Sequence, residues 1–115
     1  MTNETEKKLL NAALNVFAKK GRDAATTKAI AEKAGRTEMT LFRKFGTKKN
    51  LFETVMIQNM ENMQRDIESI INDLDNKSES PQVFLENYIR RMVKFYEENV
   101  EAYTLIINID SSTVD

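Results

Sequence analysis

Residues 26–49 read TTKAIAEKAGRTEMTLFRKFGTKK, and the way this stretch folds decides the architecture of the whole chain. Ile30, Ala31 and Ala34 recur at the three- and four-residue spacing of one helical face. Thr26 or Thr27 can cap that segment through a side-chain oxygen. Gly35 suits the left-handed residue that stops a helix. Thr37 can then cap a second segment over Glu38 to Phe45, in which Leu41 and Phe45, four apart, face inward. Two short helices joined by a tight turn containing Gly form a helix-turn-helix, whose second helix can lie in the major groove of DNA.

Upstream, Glu4 to Lys20 reads as a first helix. Leu10, Ala13, Leu14 and Phe17 occupy i, i+3, i+4 and i+7 and form one apolar stripe. Lys19 and Lys20 fall in its last turn, where cations favour the helix dipole, and Gly21 ends it. This helix is expected to roof the next two, with Phe17 directed at Ile30, Leu41 and Phe45. Its apolar residues are core, and its task is to hold the reading helix rigid.

The chemistry of each side chain suggests a role on DNA. The helix from Thr27 to Ala34 presents free amides, Thr hydroxyls and Lys28 at its start, a natural phosphate site. The next helix can supply base contacts from Thr37, Glu38, Met39, Thr40 and Arg43. Arg43 can reach guanine or a phosphate, whereas Thr40 and Met39 can touch a thymine methyl. A carboxylate is repelled by phosphates, so Glu38 either accepts from cytosine N4 or serves only the helix dipole. Thr47 can cap a further helix whose first turn holds Lys48 and Lys49. Cations there oppose the dipole by ~0.3–1 kcal/mol each. Phosphate contact by Lys48 would account for that cost; a tolerated solvated pair is the alternative.

Charge is distributed in the same sense. Residues 1–52 carry 12 Lys or Arg against 5 Asp or Glu, a balance of +7, while residues 53–115 carry 5 against 13, a balance of −8. A basic N-terminal part on an acidic remainder confines any nucleic-acid binding to one end. The chain has no Cys and no His, which removes disulfides, thiolate metal sites and the commonest general base. A hydrolase would need a carboxylate pair or metal site, and the acids are scattered on solvated faces. No enzyme, no metal and no cofactor is expected. One Pro, three Gly and 41% apolar residues in 115 fit a single all-α protein. The polar start, MTNETEKK, is no signal peptide, and no apolar run approaches the ~18 residues of a membrane span. A cytoplasmic protein without membrane contact is the expectation.

Downstream, Leu51, Phe52, Val55, Met56, Met60, Met63, Ile67, Ile70, Ile71 and Leu74 keep helical spacing to about Asp75. Roughly 28 residues of helix would reach ~42 Å, enough to link two separate regions. Asn76 to Ser80 is a polar break. Ser80 caps a fifth helix with Pro81 at its first position, and Phe84, Leu85, Tyr88, Ile89, Met92, Val93 and Tyr96 give that helix a wide apolar face. Glu97-Glu98-Asn99 reads as a turn before a sixth helix over Val100 to Asp110, with a frayed SSTVD tail.

Asn11 to Phe52, NAALNVFAKKGRDAATTKAIAEKAGRTEMTLFRKFGTKKNLF, resembles the tetracycline-repressor (TetR) family of one-component regulators. Apolar spacing, two glycines, the threonine pair and the F-x-x-K before the fourth helix agree together. The resemblance implies a dimeric, ligand-responsive repressor with one helix-turn-helix per subunit on a palindromic operator of double-stranded DNA. It implies that Thr27, Lys28, Thr37, Met39, Thr40, Phe42, Lys44 and Lys48 occupy positions that often touch DNA. Three residues depart from the family pattern. Arg36 stands where an aliphatic residue is usual, as a further phosphate or base contact or an exposed accommodation. Phe42 replaces a usual Tyr and lacks the hydroxyl that bonds phosphate. Lys44 replaces a common aromatic and could supply a charge contact.

Family members continue well past 115 residues, so the resemblance implies a partial body here, in a truncated, cleaved or naturally short form. The expected organisation is therefore a three-helix DNA-binding head over residues 1–46. A long connecting helix and a partial effector-binding and dimerisation body would follow over 47–115. By the same resemblance the fourth helix is a lever whose tilt changes the spacing of two heads. Met56, Met60, Met63, Tyr88, Met92 and Tyr103 are candidates to face a small-molecule effector, although such a stripe also suits plain core. Leftover apolar faces on helices five and six would seek another partner, a second copy among them. The alternative reading is a helical protein-interaction module without DNA binding.

Overall fold

The computed structural model describes residues 3–77 and 80–113, with side chains described for all of these except 76, 77 and 108–113. Among the described residues six helices follow in order: α1 (Glu4–Lys20), α2 (Thr27–Ala34), α3 (Glu38–Phe45), α4 (Lys48–Lys77), α5 (Pro81–Glu98) and α6 (Val100–Thr113). The fold is all-α, as the sequence patterns imply.

Short polar side chains set the helix starts. Asn3, Thr26, Thr37 and Ser80 each take the extended backbone of a cap and accept an amide hydrogen bond from the residue three further on. Thr47 does the same for α4, accepting from the Asn50 amide at 3.0 Å. The choice between Thr26 and Thr27 thus falls to Thr26, which leaves the Thr27 side chain for another task. At the other end of α2, Gly35 adopts φ 70°, ψ 33°, and its amide reaches back to the Ala31 and Glu32 carbonyls. An L side chain is disfavoured in that left-handed region by roughly 1–2 kcal/mol, so Gly is the residue that lets α3 turn away from α2.

Helix ends differ from the expected ones where the local signal is weak. α4 runs through Lys77 rather than stopping at Asp75, and α5 extends through Glu98, leaving Asn99 as the turn. α6 continues to Thr113, so the first residues of the supposed frayed tail are helical. Ser78 and Glu79, within the expected polar break, and Val114 and Asp115, at the end of the tail, lie outside the described residues.

Two compact units divide the chain: residues up to Ile57 together with those from Glu101 onward, and Gln58–Val100. In the first, α1 packs on α2 and α2 on α3. One cluster of buried side chains joins Leu9, Phe17, Ile30, Leu41, Phe45, Leu51, Phe52 and Val55, and Leu105 of α6 belongs to it. Phe17 meets Phe52 edge to face, with ring centroids 5.0 Å apart, and the Arg22 guanidinium lies 4.9 Å from the Phe52 centroid. Asn15 of α1 donates to the Glu101 carboxylate of α6. The apolar stripe of α1 is wider than its i, i+3, i+4, i+7 skeleton, because Leu9, Ala12 and Val16 are buried too, whereas Leu14 is only half-buried. A helix covered on more than one side needs more than one stripe.

The second unit consists of the remainder of α4 and α5. Met63, Ile70, Leu74 and Phe95 are buried within it, and Arg91 of α5 pairs with Asp73 of α4 at 3.1 Å. Among the described residues, no helix is long and apolar enough to cross a membrane.

Candidate nucleic-acid interface

α3 is fixed from beneath by its two inward residues, the fully buried Leu41 and the nearly buried Phe45. Its ends are fixed by hydrogen bonds. Thr37 caps it through the Thr40 amide at 3.2 Å, and the Thr37 hydroxyl also donates to Thr40 Oγ1 at 3.1 Å. At the exit, Asn50 Nδ2 donates to the Phe45 carbonyl at 2.7 Å, tying the end of α3 to the start of α4. A reading helix gains from such fixing because a base contact depends on side chains held in one register.

Several candidate DNA contacts are engaged within the protein. Thr27 Oγ1 donates to Glu38 Oε2 at 2.8 Å, a bond that spans the α2–α3 turn. This gives Glu38 a partner beyond the two expected for it: the carboxylate sits in the first turn of α3, where the dipole favours it, and anchors the preceding helix. Arg36 donates from Nε to Thr5 Oγ1 at 3.2 Å and from a terminal nitrogen to the Gly35 carbonyl at 3.0 Å. Lys44 pairs with Glu6 at 3.8 Å. Thr5 and Glu6, at the start of α1, thus hold two residues of the turn and α3; neither was singled out by the sequence, because their partners lie dozens of residues away.

Lys48 illustrates the same point at the start of α4. Its ammonium donates to the Asp23 carbonyl at 3.2 Å, which offsets part of the cost of a cation at a helix N-terminus. Its side chain remains partly exposed, and Lys49 is exposed. Lys28 is exposed in the first turn of α2, where the free amides of a helix start also favour an anion. Of the remaining candidates Thr37, Met39, Phe42 and Arg43 are exposed and Thr40 is half-buried.

The six effector candidates do not share one environment. Met56 and Tyr103 belong to the first unit, Met56 lying partly buried against its core. Met60, Met63, Tyr88 and Met92 belong to the second, where Met63 is buried, Met60 exposed and the other two half-buried. Tyr88 stacks on Phe84 with centroids 6.2 Å apart. One open groove of about 320 Å³ in this unit is lined by Asp66, Ser69, Ile70, Arg91, Lys94, Phe95 and Glu98, none of them among the six.

Residues 9–55 match the profile of the bacterial regulatory proteins of the tetR family. Over 70 residues the chain is 43% identical to the uncharacterized HTH-type transcriptional regulator YvkB of Bacillus subtilis, covering 61% of this chain and 37% of that one. A crystal structure provisionally assigned to the TetR family, from Mesorhizobium loti, superposes with a TM-score of 0.78 at 25% identity, covering 98% of this chain and 58% of the other. A TetR-like regulator from Rhodococcus superposes with a TM-score of 0.68 at 20% identity over 91% of this chain and 56% of the other, a likeness of fold. The chain therefore spans between about a third and three fifths of the length of these relatives.

Proposed function

We propose that this chain, which is similar over residues 9–55 to the bacterial regulatory proteins of the tetR family, is part of a DNA-binding transcriptional regulator of that family, a ligand-responsive repressor that binds a palindromic operator as a homodimer in its full-length form. The observation that carries the reading is the coincidence of the family match over residues 9–55 with an α3 that buries Leu41 and Phe45 and exposes Met39 and Arg43. In this reading residues 1–46 are the DNA-binding domain and 47–115 part of the effector-binding and dimerisation domain. Thr37, Met39, Thr40, Phe42 and Arg43 face base edges, while Thr27, Lys28 and Lys48 serve phosphates. Arg36, Glu38 and Lys44 contribute chiefly by holding the reading helix in place. A cytoplasmic location follows from the work on DNA.

Regulation would act through α4, whose 30 residues cover ~45 Å at 1.5 Å per residue. An effector bound in the body would change the tilt of α4 and with it the spacing of two heads from the ~34 Å that adjacent major grooves require. Homodimer formation is supported by the exposed apolar side chains Leu85, Ile89 and Val93 on α5.

Selection from random-sequence duplex DNA at low salt tests the reading. An inverted repeat is the expected product, with a lone half-site if the 115-residue chain binds as a monomer. No enrichment, even from two copies joined by a flexible linker, would remove the DNA function. Once a duplex is in hand, Lys48→Ala should weaken binding to all sequences alike and flatten the salt dependence by about one unit of slope. Substituting Thr40 or Arg43 should instead alter which bases are preferred.

A further inference from the structure

We propose that Met39 and Phe42 act as a pair that reads the C5-methyl groups of thymine, so that base discrimination by α3 is mainly apolar. The inference rests on the DNA-binding reading above and adds the kind of base edge that is recognised. Several polar side chains of α3 and its cap already have partners within the protein. The Glu38 carboxylate accepts from Thr27 at 2.8 Å, the Thr37 hydroxyl donates to Thr40 at 3.1 Å, and Lys44 pairs with Glu6 at 3.8 Å. What α3 turns outward is Met39, 78% exposed, and Phe42, 43% exposed, with the exposed Arg43 beside them.

That exposure is concentrated. Among the described residues up to Ile57, three large apolar side chains are exposed, and two of them lie on this eight-residue helix. Positions three apart stand side by side on a helix, so the thioether and the phenyl ring form one patch. The surrounding segment carries a balance of +7 over residues 1–52, which favours a polyanionic partner over an apolar one. In the major groove guanine, adenine and cytosine present donors and acceptors, and the thymine methyl is the apolar feature. Neither side chain carries a hydrogen-bond donor and the Met39 sulfur accepts only weakly, so the thymine methyl is the base feature that suits them best. Unbranched Met39 can adjust to its position, and Arg43 on its other side is left for guanine or phosphate.

Uracil differs from thymine only by the missing methyl, which makes the test direct. Two linked copies of the chain are titrated against the selected duplex, with uracil replacing thymine one position at a time. Affinity should fall about fourfold at one or two positions per half-site, the factor that burial of one carbon is worth. In Met39→Ala with Phe42→Ala that difference should vanish, while the salt slope stays as it was. Both side chains lie at the surface, and an unchanged helical circular-dichroism signal would establish that the variant is folded. A duplex bound equally well with thymine and uracil at every position overturns the proposal and leaves the DNA-binding reading standing. So does a thymine preference that persists in the double variant. Failure to bind any duplex overturns both.

Discussion

The two units of this chain solve the problem of burying apolar surface in opposite ways. Seventeen apolar side chains are buried in the first unit, and four large ones are exposed among its described residues: Met39, Phe42, Ile57 and Ile107. Among the described residues of Gln58–Val100 the balance reverses, with four buried and eight large ones exposed. Leu85, Ile89, Val93, Tyr96 and Val100 repeat at intervals of three and four along the outer side of α5 and the residue that starts α6. The first unit is a closed core whose exposed apolar residues are few enough to be read as functional one by one. The second spreads its apolar exposure along a whole helix, so no single residue there carries a comparable argument.

In stability measurements the largest effect should come from the closed core. Phe17→Ala removes a fully buried ring that packs on Phe52, and denaturant titration should report a loss of about 3–5 kcal/mol. Leu105→Ala should cost about 2–5 kcal/mol, because Leu105 lies in the same cluster as α1 despite its distance in sequence. A loss below 1 kcal/mol there would separate α6 from the first unit. Gly35→Ala comes next, at about 1–2 kcal/mol. A Cβ would meet nothing within 4 Å, so the cost is backbone strain alone. Thr37→Ala, which removes the cap of α3, should cost about 1 kcal/mol and weaken operator binding more than its effect on stability explains. Smallest of all is Val93→Ala, on the exposed side of α5, within about 0.5 kcal/mol of the parent. A loss of 2 kcal/mol at Val93 would mean that α5 is better covered than its exposure indicates.

Much of the first unit is legible in the sequence because its signals are local. A cap and the amide it serves lie three residues apart, and Gly35 marks its own turn, so helix starts follow from short windows. The inward pair Leu41 and Phe45 is likewise a four-residue pattern. What the sequence withholds is any contact whose partners are far apart in the chain. Arg36 and Lys44 look like surface cations in sequence, and only the fold brings Thr5 and Glu6 to them. Glu38 carries no mark that its partner is Thr27 rather than solvent or a base. Leu9, Ala12 and Val16 are buried because α1 is covered on more than one side, and a helical period cannot tell how many neighbours a helix has. The membership of Leu105 in that core is hidden for the same reason. The ends of α4 and α6 lie two and three residues beyond the expected ones, because no Gly or Pro at 75–80 or 110–115 marks a stop in the sequence.

Amide chemical-shift mapping decides whether DNA is read by the closed unit through α3 or by the exposed stripe of α5. Isotope-labelled chain would be titrated with the selected duplex and, as a control, with a scrambled one. The selected duplex should move amides at the start of α2, along Thr37–Phe45 and at Thr47–Lys49, while those of α5 stay in place. Shifts centred on Leu85 to Tyr96, or none that distinguish the two duplexes, would contradict reading through α3.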